Sequence, residues 1–71
     1  MNALPQYTYQ LIFVHRNGEQ EAIEHTAEAI AREHFACFGT GDADVYRSIT
    51  LLEIDWNTGH THILNTLEFP A

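Results

Sequence analysis

A small α+β domain in the order β-β-α-β-β is predicted by three features of this 71-residue chain. Two glycine-marked turns, Arg16-Asn17-Gly18-Glu19 and Trp56-Asn57-Thr58-Gly59-His60, each lie between apolar runs rich in β-branched and aromatic residues. A stretch of helical periodicity, residues 27–38, separates them. The expected architecture is a small antiparallel sheet from two β-hairpins with one helix packed on one face. The alternative order is β-α-β-β. At this length residues 1–71 form one domain whose core is marginal, because a short chain buries little of its surface.

Tyr7 to His15 reads as the first strand, a run of aromatic and β-branched types. Asn17-Gly18 fits a two-residue type I′ hairpin, which needs positive φ at both central residues. Glu19 to His25 is then the second strand, with Ile23 turned to the core. In the alternative, Asn17 caps a helix directly, with Gln20 at the third position, and Glu-Gln-Glu-Ala-Ile-Glu has the propensity to continue it.

Thr26 favours the hairpin. It is a good N-cap residue, and Glu28 falls in the first turn, where the helix dipole favours a carboxylate. Ala27, Ile30/Ala31, His34/Phe35 and Phe38 share one face, Glu28 and Arg32 are spaced i,i+4, and Gly39 stands where a C′ glycine belongs. Residues 39–44 are a loop by composition.

Residues 45–56 and 60–69 read as two long strands, joined by a three-residue loop whose last member, Gly59, takes positive φ. Pro70 ends the second of them. That loop sets a register: Trp56 opposite His60, Ile54 opposite His62, Leu52 opposite Leu64, Ile49 opposite Leu67. Val45, Ile49 and Leu51 then share one face with Ile63, Leu67 and Phe69. Tyr46, Leu52, Ile54, Trp56 and Leu64 share the other. A single short helix covers one face only, so the second, apolar face is expected to be an interaction surface. The expected cover is a second copy, giving a homodimer, or another protein, with Trp56 and Tyr46 as anchors. The bland alternative is that residues 1–6 fold back over it, or that a bulge redirects the strand.

Composition excludes several classes. Ten carboxylates stand against three arginines, Arg16, Arg32 and Arg47, with no lysine, for a formal charge of -7. Direct nucleic-acid binding needs a basic stripe, so none is expected, and anionic membrane surfaces are disfavoured alike. No apolar stretch is long enough to span a membrane, and residues 1–6 lack the basic and apolar regions of a signal peptide. The expected compartment is the cytoplasm. Cys37 is the sole cysteine, which excludes an intramolecular disulfide and a cysteine-rich zinc site.

Candidate chemistry is sparse. His60 and His62 form His-x-His on one strand and project to one face, the spacing of a two-histidine metal chelate that awaits a third ligand. Cys37 and His34 lie i,i+3, but no orienting residue or oxyanion hole accompanies them. Arg47 is expected to pair on its strand face with Glu53 or Asp55. No catalytic residue and no cofactor is expected. The sequence reads as a small acidic, non-enzymatic protein-interaction module. Two alternatives stand beside that: an acidic inhibitor or nucleic-acid mimic that occupies a basic site, and a metal-binding protein using His60 and His62.

Overall fold

The apolar runs do form strands, and the two richest in large side chains take the centre of the sheet. The structure, a computed structural model, describes residues 6–70. Its elements are β1 (Tyr7–His15), β2 (Gln20–His25), α1 (Glu28–Ala36), a 3₁₀ turn (Thr40–Asp42), β3 (Tyr46–Asp55) and β4 (Thr61–Glu68). All pairings are antiparallel, in the order β2-β1-β3-β4. The order is β-β-α-β-β, and 20–25 is strand. Glutamates along β2 cost little there because it is an edge strand with mostly exposed side chains.

Both hairpin loops are one residue longer than the sequence reading. His15 N–H donates to Glu19 O at 2.8 Å and Gly18 N–H to His15 O at 3.0 Å, closing a three-residue loop over 16–18. A type I′ turn needs positive φ at Asn17 too, and among the described residues only Gly18 (φ 91°) and Gly59 (φ 77°) have it. Asn17 instead accepts the Glu19 N–H on Oδ1 at 2.9 Å. In the second hairpin Asp55 N–H donates to His60 O at 2.8 Å and Gly59 N–H to Asp55 O at 2.7 Å. Trp56 therefore belongs to a four-residue loop rather than to a closing pair with His60.

Two β-bulges interrupt the ladders, one between β3 and β4 and one between β1 and β3. Ile49 pairs with Leu67, as the sequence register has it, and Leu51 with Asn65, but Leu52 then pairs with Ile63 and Ile54 with Thr61. Leu64 is the extra residue. Between β1 and β3, Val14 pairs with Ser48 but His15 with Tyr46, which leaves Arg47 as the extra residue. A bulge changes which face the following residues point to. Tyr46 consequently lies on the helix side, its ring 5.3 Å from Phe13 and 5.9 Å from Phe38. Leu64 packs against the core, and Ile63 moves to the opposite face.

The core lies between the helix and β1/β3. Tyr9, Leu11, Phe13, Ile49, Leu51 and Phe69 are buried there with Ala31 of the helix. Each large side chain in that set contributes about 1.5–3 kcal/mol by leaving water. The small side chain of Ala31 lets the helix backbone approach the sheet. The helix differs from the expectation at both ends. Its N-cap is Ala27, without a side-chain hydrogen bond, so Thr26 stands one residue too early to cap. Its C-cap is Cys37, and Gly39 is extended (φ −160°), opening the 3₁₀ turn by donating its N–H to Asp42 Oδ2 at 2.9 Å. Arg32 Nε does reach Glu28 Oε2 at 2.7 Å, a solvent-exposed i,i+4 pair of about 0.3–0.5 kcal/mol.

Candidate functional site

The sheet has one covered face and one face without a helix. Because residues paired across strands share a face, Leu11, Ile23 and Leu51 point to the helix, and Ile12, Ala22 and Thr50 point away. The helix-free face therefore carries Ile12 and Val14 of β1, Leu52 and Ile54 of β3, and Ile63 of β4. The first four are half-buried by their neighbours, while Ile63 is 69% exposed. Hydroxyls of Thr8, Ser48, Thr50, Thr61 and Thr66 fill the places between them.

Trp56 closes one end of this face. Its Nε1–H donates to Thr8 Oγ1 at 2.7 Å, and its backbone N–H donates to Gln6 O at 3.0 Å. Thr8 in turn donates to Glu24 Oε2 at 3.3 Å. Thr8 is the buried polar residue of the sheet, and this chain of donors satisfies it. The indole is tied to the first strand by its polar atom while the residue as a whole stays 57% exposed.

Charge is sorted between the two sides. Of the ten carboxylates, Glu21, Glu53 and Asp55 share the helix side with Phe13, Tyr9 and Tyr7, their strand partners. Glu19, Glu28, Glu33, Asp42 and Asp44 belong to the turns and the helix. Only Glu24 and Glu68 point to the helix-free face, and Glu24 is engaged by Thr8. The crowding of carboxylates on the helix side shows in Tyr9: burial first, then Glu53 opposite it and Glu28, push its hydroxyl above the usual tyrosine value.

Of the interface residues read from the sequence, the structure brings Leu52, Ile54 and Trp56 together on the helix-free face. Tyr46 and Leu64 it places on the core side, turned there by the bulges at Arg47 and Leu64. Ile12, Val14 and Ile63 belong to the face and were missed. The signal for the first two was the unbroken Leu-Ile-Phe-Val run, since alternate residues of a fully apolar strand must emerge on both faces. His60 and His62 are both exposed, and His62 lies opposite Glu53. Among the described residues no group of three or more His, Cys, Asp or Glu side chains stands together to hold a metal ion.

The other polar clusters hold the fold together. His25 Nε2 and His34 Nδ1 are 3.0 Å apart, a hydrogen bond from β2 to the helix. That bond engages Nδ1 of His34, and the Cys37 thiol donates to Glu33 O at 3.3 Å. Arg16 donates Nε to Ala43 O at 2.8 Å and Nη2 to Phe69 O at 2.8 Å and Pro70 O at 3.2 Å. Arg47, displaced by its bulge, lines an open cleft of about 480 Å³ with Arg16, Ser48 and Glu68 instead of pairing with Glu53 or Asp55. The sequence alternative in which residues 1–6 cover the apolar face falls almost wholly outside the described residues. No described helix is long and apolar enough to cross a membrane. Compared with protein-family models, with curated proteins and with solved structures, the chain matches none.

Proposed function

We propose that this chain is a non-enzymatic interaction module that acts by protein contact and self-associates through the helix-free sheet face. One observation carries the proposal. A face with Ile12, Val14, Leu52, Ile54, Ile63 and Trp56 bears only two of the ten carboxylates of a chain with formal charge -7. A sheet face of large apolar side chains with few carboxylates is the composition of a contact surface rather than of a solvated one, while the exposed Tyr7, Ile23, Ile30 and Val45 lie on the helix side, the helix and the loop before β3. The proposed setting is the cytoplasm, where an exposed lone thiol such as Cys37 stays reduced.

A second reading rests on the other side of the molecule. Glu21, Glu28, Glu53 and Asp55 make the helix side acidic, which suits a ligand for a basic site on another protein. Salt separates the two. Self-association through apolar groups is unchanged or strengthened between about 50 mM and about 500 mM salt, whereas acidic docking weakens steeply. Sedimentation velocity of the chain alone across that range tests the first reading. A sedimentation coefficient that falls with added salt contradicts it.

A further inference from the structure

We infer that the self-associated form is a face-to-face sandwich of two sheets, and not a continuous sheet joined edge to edge. This rests on the self-association proposed above and adds its geometry. The occupant of the helix-free face is a second copy of the chain.

Three observations lead there. The first is charge. Two copies with formal charge -7 each repel, and the repulsion is least where carboxylates are fewest. Eight of ten lie off the helix-free face, so this is the surface on which two copies approach at the least electrostatic cost.

The second is that both sheet edges are blunted. β2 carries Glu21 and Glu24 within six residues, a charged edge of the kind that resists pairing. β4 has no charge before Glu68, so its protection is geometric. Leu64 bulges out of register, which bends the strand away from a straight template. Phe69 N–H donates inward to Arg47 O at 2.9 Å, so by alternation the Thr66 N–H faces outward. Asn65 Oδ1 takes that N–H at 2.9 Å, occupying a donor that an incoming strand requires.

The third is size. Four strands about 4.8 Å apart and about eight residues long give a flat footprint of roughly 500 Å². That lies below the ~800 Å² per partner of a standard interface and at the scale of weak, reversible association. Two such faces stacked about 10 Å apart, with strands crossing at about 30°, form an aligned sandwich. Ile12, Leu52, Ile54 and Ile63 of each copy then fill the layer between them.

The test is NMR of the full chain at a concentration where it associates. Isotope-filtered spectra of a mixed labelled and unlabelled sample are recorded, together with amide exchange at low and high concentration. The sandwich gives intermolecular contacts from the methyl groups of Ile12, Leu52, Ile54 and Ile63. It leaves exchange at Thr66 changed by less than about twofold. Protection of Thr66 rising tenfold or more, without intermolecular methyl contacts, overturns the sandwich while leaving self-association intact. A chain that stays monomeric at all concentrations overturns both. Ile63→Asp, which replaces an exposed side chain and spares the core, abolishes association in a sandwich. An edge-joined dimer survives it.

Discussion

Trp56 donates its indole N–H to Oγ1 of Thr8 across 2.7 Å, tying the β3–β4 turn to the first strand of the sheet. Forty-eight residues separate the two along the chain. Thr8→Val keeps the β-branched shape but removes the acceptor. We expect a loss of about 1 kcal/mol, the net worth of one hydrogen bond, in urea unfolding. Tryptophan emission shifts to the red as the indole is released. An unchanged emission spectrum means the bond does not fix the ring.

Arg16 joins three carbonyls on segments far apart in sequence: Ala43, Phe69 and Pro70. A lysine preserves charge but not the planar fork that reaches two directions at once. Arg16→Lys is expected to lower stability by about 1–2 kcal/mol, and to speed amide exchange at Phe69 more than at Leu11. Equal acceleration at both sites contradicts a local clamp.

Tyr9 gives the alkaline limit its sign. Its hydroxyl is raised above the ordinary value of 10.0 by burial and by Glu53 and Glu28. Below that value folded and unfolded chains both hold the proton, and the stabilisation from keeping Tyr9 neutral is fully present. As pH rises past it the unfolded chain ionises first, so stability falls towards the raised folded value. Comparing urea midpoints at about pH 9 and about pH 11, the wild type loses more stability than Tyr9→Phe. An equal loss in both places the alkaline sensitivity elsewhere.

Gly18 and Gly59 sit at φ 91° and φ 77°, where an L side chain is strained. Gly18→Ala and Gly59→Ala are each expected to cost about 1 kcal/mol. Gly39, at φ −160°, is extended, and Gly39→Ala is expected to stay within about 0.5 kcal/mol of wild type. Thermal unfolding of the three variants measures this. A Gly39 variant as damaged as the other two contradicts the assignment.

Much of the fold was legible because its signals are local. Tyr7 to His15 read as a strand from its aromatic and β-branched residues, Gly18 and Gly59 marked the turns, and Glu28–Arg32 marked the helix. What local pattern lacks is loop length to the residue. Asn-Gly fits a two-residue or a three-residue hairpin equally well, and only the hydrogen bond from His15 to Glu19 decides. The bulges at Arg47 and Leu64 have no local signature: they accommodate pairing between strands distant in sequence. For that reason the helix-free face was read correctly at Leu52, Ile54 and Trp56, beside one pairing register, and inverted at Tyr46, Ile63 and Leu64, beyond a bulge. Ile12 and Val14 required knowing that β1 lies next to β3 in the centre, a matter of strand order.

Light-scattering mass is the most direct measure of the central proposal, that the helix-free face binds a second copy. At a concentration on the order of 100 µM, the wild-type chain is expected at an average mass between one and two chain masses that rises with concentration, and Ile63→Asp at the monomer mass with an unchanged circular dichroism spectrum. A wild type that remains at the monomer mass at this concentration contradicts the proposal, as does an Ile63→Asp variant that still forms the dimer.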